Sequence, residues 1–292
     1  MNLYIFATQK DLSAQSIVDE GNKNKLKGRV VFYENIAIDQ DRLKHNNSII
    51  TFGDNDKILV RWPWDASNTD IEYNNIVKYL CANHPDKIAL DLKCLRDFSP
   101  RYEDKYFQYQ FFKRLNVPTP DVCLVNELDE AEKTFGYPMV IKKRISSRSK
   151  SNYLIKNREQ FEFFKKKIIP EEYILQAKVQ ADKDLRVLML NGQLLGVVSR
   201  LMHIREENRL SVKGMETVDK IDSNIITDAK RLSAALGGDL IGFDVLVEKS
   251  GKYYFIEANL SPQFTSFMQV TGTNVSSRII EEIFKGKLSV KP

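Results

Sequence analysis

Three oxygen-bearing side chains lie in two apolar segments near the carboxyl end of the sequence. Asp244 stands in the run 242–247, and Glu257 and Asn259 stand in the run 254–262. Because residues two apart leave the same face of a strand, Glu257 and Asn259 share a face, and a hairpin would place Asp244 beside them. Two carboxylates and an amide oxygen are hard ligands that suit Mg²⁺ bound to phosphates. An exposed polar strand edge is the alternative, which the apolar neighbours disfavour because buried unpaired carboxylates are costly.

The composition is that of an ordinary globular protein and excludes several classes. The chain has 292 residues, 42% hydrophobic and 28% charged, which excludes a disordered tail, a fibrous repeat and a disulfide mini-protein. Its 44 basic and 39 acidic residues give a net charge of +5, which is small for a dedicated nucleic-acid binder and compatible with a basic pocket for an anion. Three cysteines without CxxC spacing and three histidines predict neither a disulfide framework nor a zinc site.

The same features predict the compartment. The apolar runs are too short for a membrane span, and the first residues lack the basic leader of a secretory signal. With cysteines that form no disulfide pattern, the expected location is the reduced cytoplasm, with no membrane partner. The sequence does not decide between a monomer and a homo-oligomer.

Short apolar runs alternate with helical patterns in the first hundred residues, which indicates an α/β layer with a mostly parallel sheet. We expect strands at 3–7, 29–33, 58–62 and 88–90, and helices at 70–81 and 103–115. The second helix stops at the proline pair Pro118 and Pro120. From there to Gln176 the pattern predicts strand, helix, strand, loop, strand, helix and strand.

Turn residues mark the later elements. Asn191-Gly192 separates two apolar runs and predicts a hairpin, with Arg200 at the end of its second strand. A helix is expected at 225–236, capped by Gly237. A second hairpin is expected from 240–248 and 252–258, and a last helix at 274–284.

Residues 102–284 resemble the RimK-like branch of the ATP-grasp superfamily, which are carboxylate–amine ligases. The runs Gly-Phe-Asp at 242–244 and Ile-Glu-Ala-Asn-Leu-Ser-Pro at 256–262 look like the metal-binding signature of that family. The resemblance implies that Asp244, Glu257 and Asn259 hold Mg²⁺ on the phosphates of ATP, and Mn²⁺ suits the same oxygen ligands.

The resemblance also implies an α/β architecture with the ATP-grasp fold. An N-terminal parallel α/β domain (pre-ATP-grasp) would occupy 1–100. Two α+β lobes clasping ATP would follow, the central lobe at 101–177 and the C-terminal lobe with the metal site at 178–292.

Further positions match nucleotide-binding elements of the family. Lys105 and Lys142 resemble its two phosphate-binding lysines, and the stretch after Tyr173 resembles the interlobe hinge that reads the adenine edge. The resemblance implies ATP-binding roles for Lys105, Lys142, Gln176, Ala177, Lys178, Asp184, Arg209 and Ser211. The chain departs from the family at 144–152, where a basic, serine-rich loop without glycine stands in place of a glycine-rich flap. This loop either covers the phosphates or is a surface loop that binds nothing or an acidic partner.

The reaction implied is formation of an amide bond. ATP would phosphorylate a substrate carboxylate, and an amine would attack the acylphosphate, with Arg186 and Arg200 facing the reacting groups. The partners would be an amino acid, peptide or protein that supplies the carboxylate, and an amine co-substrate.

Three other interpretations stay open. A catalytically idle ATP-binding or partner-binding protein would keep the fold without turnover. Nucleic-acid binding through 144–150 and 165–167 is disfavoured, because the lysine run is typical of a solvated helix face. Arg61, Trp62 and Trp64 end a predicted strand, where they form either a substrate platform or, as we favour, a packed ion pair.

Overall fold

The computed structural model describes residues 1–62, 70–97, 104–146, 152–204 and 210–285. Their contacts fall into two compact units. The first comprises the described residues of Met1–Phe98, Leu236–Ile241 and Leu260–Pro292, and the second those of Ser99–Ala235 and Gly242–Asn259. No helix within these ranges combines the length and the apolar character that crossing a bilayer requires.

The first unit contains the predicted parallel sheet, in the order β2-β1-β6. A small antiparallel sheet has the order β3-β4-β5. The strands are β1 Asn2–Ala7, β2 Lys27–Phe32, β3 Ile36–Asp39, β4 Arg42–His45, β5 Ser48–Ile49 and β6 Lys57–Val60. Leu3, Ile5 and Phe6 are wholly buried, because a short parallel strand between two neighbours carries apolar side chains on both faces.

Five α-helices in the described part of this unit accompany these sheets. They are α1 Leu12–Lys23, α2 Asp70–Asn83, α3 Leu92–Asp97, α8 Thr265–Thr271 and α9 Val275–Ile283. The two C-terminal helices pack against α1, so the chain returns to its first unit after completing the second. The expected helix at 70–81 and the last helix are confirmed, whereas α8 was not predicted.

Residues 88–90 do not form the expected strand. Ile88 makes a single parallel bridge to Ile58, and the chain then turns at Asp91, whose φ is 62°. A left-handed residue directly after so short a run ends the extended conformation. The expected strand is therefore wrong, although its backbone does hydrogen-bond to β6 through Ile58.

The second unit begins with helix α4 and a four-stranded antiparallel sheet of order β7-β10-β8-β9. The elements are α4 Lys105–Arg114, β7 Val122–Leu124, α5 Leu128–Thr134, β8 Met139–Lys143, β9 Asn152–Ile155, α6 Arg158–Lys165 and β10 Tyr173–Ala177. This order confirms the expected succession. One face of β8, with Met139 and Ile141, packs into an apolar core with Phe161. Lys142 therefore leaves the opposite face, because successive side chains alternate.

A five-stranded antiparallel sheet of order β13-β12-β11-β14-β15 completes the second unit, apart from the first two residues of β14, which belong to the first unit. Its elements, with helix α7, are β11 Ala181–Leu190, β12 Gln193–Ile204, β13 Leu210–Thr217, α7 Ser223–Leu236, β14 Leu240–Glu248 and β15 Tyr253–Asn259. Asn191 and Gly192 have φ of 48° and 69°, the left-handed pair that a two-residue hairpin turn requires. Both predicted hairpins are confirmed.

Candidate functional site

The hairpin of β14 and β15 brings two predicted metal ligands together. Asp244 lies directly opposite Glu257, and Gly242 lies opposite Asn259. Opposite residues in an antiparallel pair put their side chains on the same face, as the spacing predicts. The register shifts directly after this pair, since Val245 pairs with Phe255 and leaves one extra residue on β15. Such a bulge bends the strand and redirects its neighbouring side chains.

Two buried lysines lie on this side of the unit. Lys105 starts α4, and its Nζ is 3.5 Å from Glu257 Oε1 and 3.1 Å from the carbonyl oxygen of Ser146. Lys142 is 6% exposed on β8. Burial lowers its pKa to about 8, although the Glu257 carboxylate favours the ammonium form. Both ammonium groups are buried, where the oxygen of a bound phosphate would be a favourable additional partner for their charge.

A network of ion pairs joins β11, β12 and β14. Arg200 donates to Asp184 Oδ1 from Nε at 3.0 Å and from Nη2 at 2.5 Å, and to Asp244 Oδ2 from Nη1 at 2.7 Å. Arg186 Nε donates to Asp244 Oδ1 at 2.5 Å. Arg200 thus bridges two buried carboxylates. It lies four residues before the end of β12 rather than at the strand end, where we expected it.

The network shifts the pKa values of its carboxyl groups in opposite directions. Burial opposes ionisation of Asp244, but the Arg186 and Arg200 guanidiniums outweigh it and hold the pKa of Asp244 below its ordinary value. Burial raises the pKa of Asp184, against the attraction of Arg200. Asp244 is consequently the more firmly ionised of the two.

The charges in this region suit a polyanion that binds together with a cation. Lys105, Lys142, Arg186 and Arg200 oppose Asp184, Asp244 and Glu257, so four cationic groups meet three carboxylates. Within the described ranges, no three His, Cys, Asp or Glu residues form a metal site.

A divalent ion would therefore need the amide oxygen of Asn259 or oxygens of a bound phosphate. The donor set fits Mg²⁺ in chemistry, since all its atoms are hard oxygens. Glu257, at 30% side-chain exposure against 4% for Asp244, is the more accessible carboxylate.

The predicted hinge lies at the end of β10. Gln176 is buried, and its Oε1 is 2.5 Å from the hydroxyl oxygen of Tyr109. The N–H of Ala177 donates to the carbonyl of Asp121, so this donor is already used within the sheet. Lys178 Nζ donates to the carbonyl of Val179 at 2.7 Å, and burial lowers the pKa of Lys178. Recognition of a base edge here would use the other main-chain groups and the Gln176 amide.

Some predicted positions lie outside what the structure describes. Arg209, Trp64 and residues 147–151 of the basic loop fall outside the described ranges, and of Ser211 only its backbone place in β13 is described. Arg144, at the start of that loop, is bound within the unit. It donates to Asp104 from Nη2 at 2.7 Å and from Nε at 2.9 Å, which ties the first turn of α4 to the end of β8.

Arg61 and Trp62 serve structure within the first unit. Arg61 is 2% exposed, pairs with Asp11 at 2.9 Å and donates to the carbonyls of Ser261 and Pro262. Trp62 is buried, and its N–H donates to Ser261 Oγ. The interpretation of a packed ion pair is therefore confirmed for Arg61, and that of a packed ring for Trp62.

Two side chains of α4 that contact the site were not predicted from the sequence. Gln108 bonds to the backbone of β15 at Ala258, and Tyr109 bonds to Gln176. With Lys105 they form a set at i, i+3 and i+4, which is one face of a helix. That spacing of polar residues within an aromatic helix was the available signal.

Known proteins resemble this chain in sequence. The chain belongs to the RimK-like ATP-grasp domain family, whose sequence profile matches residues 102–283. It is 25% identical over 260 residues to human N-acetylaspartylglutamate synthase A, covering 81% of this chain and 63% of that protein. It is 23% identical to the α-aminoadipate–LysW ligase LysX of Saccharolobus solfataricus, covering 62% of this chain and 70% of the relative. The chain thus spans about three-fifths of the length of the human relative.

Solved structures show the same fold. The macrocyclase MdnC of Microcystis aeruginosa, bound with precursor peptide MdnA, superposes with a TM-score of 0.71 at 12% identity, over 97% of this chain and 99% of that one. The ATP-grasp ligase PsnB complexed with a minimal precursor gives 0.70 at 12% identity, over 96% and 98%. The fold prediction is therefore confirmed.

Proposed function

We propose that the protein is an ATP-dependent carboxylate–amine ligase that forms an amide bond through an acylphosphate. The observation that carries this proposal is the meeting of Lys105 on α4 with Glu257 on the hairpin, where Asp244 stands directly opposite. A cation for phosphate and a pair of carboxylates for a metal are the two parts that a phosphoryl-transfer site needs. Membership of the RimK-like ATP-grasp family supports the same reaction class.

The basic and acidic residues of the site would have different roles. Lys105 and Lys142 would neutralise phosphate oxygens, and Asp244, Glu257 and Asn259 would hold Mg²⁺, for which Mn²⁺ can substitute. When bound, the ion would supply positive charge that offsets the phosphate charge and so reduces its repulsion of an incoming carboxylate. Arg186 is 16% exposed and would face the substrate carboxylate, while Arg200, buried between two carboxylates, would keep Arg186 and Asp244 in place.

Bond formation then has two steps. A substrate carboxylate oxygen attacks the γ-phosphorus of ATP, the bond to the bridging oxygen breaks, and ADP leaves. The lone pair of a neutral amine attacks the acylphosphate carbon, phosphate leaves with the bonding pair, and a proton from the amine passes to solvent. The protein supplies position and charge rather than a nucleophile.

The substrates are proposed as a class. One relative is named as a synthase of N-acetylaspartylglutamate and another as a ligase acting on LysW, and MdnC binds a precursor peptide. We infer that this chain adds an amino acid to a peptide, a protein or another amino acid.

ATP turnover with Mg²⁺ tests the proposal, run against pooled amino acids and short acidic peptides with mass spectrometry of the products. We expect substrate-stimulated ADP and a product joined by loss of water, both lost in Glu257→Gln. Glu248→Gln is the matched control, because Glu248 ends β14 and binds Ser250 and Tyr254 instead. ATP binding without turnover against every pool would favour the catalytically idle binding protein, and absence of ATP binding would refute both.

A further inference from the structure

The hydroxyl of Tyr109 lies between two residues of the proposed nucleotide site. Its oxygen is 2.5 Å from Gln176 Oε1 and 3.5 Å from Lys142 Nζ. The ring has no exposed surface and packs with Ile174 and Ile256. A phenylalanine would fill the same apolar contacts, so the packing of the ring does not account for the hydroxyl.

The direction of these two hydrogen bonds follows from the chemistry of the groups. An ammonium can only donate, so the Tyr109 oxygen accepts from Lys142. The single phenol hydrogen then points to Gln176, which must present its Oε1 as the acceptor. The same orientation of the Gln176 amide lets its Nε2 donate to the carbonyl of Ala177 at 3.4 Å, which the flipped amide could not do.

These hydrogen-bond directions determine what Lys142 and Gln176 can each bind. Lys142 has an acceptor for one of its three N–H bonds, which favours the ammonium in a buried position. Gln176 has its oxygen committed, so its N–H₂ is the part left for other partners, one of which is the carbonyl of Ala177 at 3.4 Å.

We propose that Tyr109 is a positioning residue of the nucleotide site, which keeps Lys142 charged and directed and makes Gln176 a donor. This inference rests on the proposed function, since it concerns how ATP is held. It assigns a role to α4 beyond Lys105, the one residue of that helix that the family resemblance singled out.

Tyr109→Phe tests the proposal because it removes one oxygen and leaves the ring. In the variant, Lys142 loses its acceptor, so the ammonium is less favoured and deprotonates at lower pH. The charged groups around Lys142 stay unchanged: Glu257, Asp184 and Asp244 favour the ammonium, and Lys105 disfavours it. We expect ATP affinity at pH 7 to fall about tenfold.

Equilibrium ATP binding by calorimetry between pH 6.5 and 9.5 gives the second readout. Wild-type affinity should decline through pH 8, and the midpoint for Tyr109→Phe should lie about one pH unit lower. Tyr106→Phe is the matched control, because Tyr106 lies three residues earlier on the same helix, with its ring against Phe107. Wild-type affinity and midpoint in Tyr109→Phe would overturn the proposal.

A measurement without ATP separates this proposal from the proposed function. In protein labelled with ¹³C at lysine Cε, the Lys142 signal is the one missing from Lys142→Met, and its titration gives the pKa directly. A lower midpoint in Tyr109→Phe supports the positioning role even if the chain proves to bind another anion, whereas an unchanged midpoint refutes it. In the Lys142→Met background, Tyr109→Phe should reduce ATP affinity less than it does alone, because the two residues act through one contact.

Discussion

The side-chain amide of Gln108 makes two hydrogen bonds with the backbone of Ala258. Nε2 donates to the Ala258 carbonyl at 2.8 Å, and Oε1 accepts from the Ala258 N–H at 3.0 Å. The amide thereby takes the place of a neighbouring strand along the outer edge of β15. Because Ala258 stands between Glu257 and Asn259, these two bonds fix the stretch that carries both predicted metal ligands.

Gln108→Glu should weaken Mg²⁺ binding more than it lowers the stability of the fold. A carboxylate still accepts from the Ala258 N–H but cannot donate to the carbonyl, and the unsatisfied buried groups cost about 1–3 kcal/mol. We expect the Mg²⁺ concentration for half-maximal ATP turnover to rise about tenfold. Gln110→Glu, on the exposed face of α4, should leave it unchanged. Equal Mg²⁺ dependence in both variants would contradict the role of Gln108.

Arg200 and Arg186 should differ in their effect on stability. Arg200→Lys keeps the charge but loses the planar fork that bridges Asp184 and Asp244, which should destabilise by about 2–4 kcal/mol because buried carboxylates lose partners. Arg186→Lys, with one bond to Asp244 at a more exposed site, should cost about 1 kcal/mol.

Urea denaturation measures both changes. Arg278→Lys is the control, because its pair with Glu281 is largely exposed and such pairs contribute little. If Arg200→Lys proves no more destabilising than Arg278→Lys, the bridge is not a stabilising element.

Much of the second unit was predictable from the alternation of side chains along strands and from the residues that favour tight turns. Asn191-Gly192 fixes a two-residue turn, and the spacing of Glu257 and Asn259 fixes their common face without any knowledge of the partner strand. Lys142 could be placed on the face away from the apolar core by alternation alone. These are local rules with a period of two, so the sequence states them directly.

Relations between distant segments were not predictable. Nothing near α9 indicates that it packs on α1, because the contact consists of apolar side chains and a bond between the hydroxyls of Ser16 and Ser276, none of which names its partner in the sequence. The bonds from Gln108 to Ala258 and from Tyr109 to Gln176 join segments far apart in sequence, and no local pattern names the partner. The strands β3 to β5 are too short for a periodic signal, with two to four residues each.

Substitution by alanine should destabilise the protein to different extents at two glycines with left-handed backbone conformation. Gly272 caps α8 with φ of 71°, and a Cβ there would meet nothing within 4 Å, so Gly272→Ala should cost only the backbone term of about 1–2 kcal/mol. Gly237, with φ of 70°, would bring its Cβ to 2.5 Å from Lys93 Cδ, so the exposed Lys93 side chain must move and Gly237→Ala should cost slightly more. Adding Lys93→Ala should remove the excess, measured by thermal denaturation, and a persistent excess would show that the backbone sets it.

Asp91 and Asp239 exchange hydrogen bonds across a long stretch of sequence in the first unit. Asp91 Oδ1 accepts from the Asp239 N–H at 2.5 Å and from the Leu240 N–H at 3.2 Å, while Asp239 Oδ2 accepts from the Asp91 N–H at 2.6 Å. Burial, with the nearby Asp239 carboxylate, raises the pKa of Asp91 to about 7. The folded state therefore binds this proton more tightly than the unfolded state.

Stability should fall as the pH rises. For an acid with a raised folded pKa, the stabilisation is complete below the unfolded pKa near 4 and is lost through pH 7. About three pKa units correspond to at most about 4 kcal/mol. Asp91→Asn keeps the acceptor and stays neutral, so its free energy of unfolding from urea titrations should change less between pH 5 and 8. Asp54→Asn, at an exposed position, should follow the wild-type slope, and a wild-type slope in Asp91→Asn would show that Asp91 is not the titrating group.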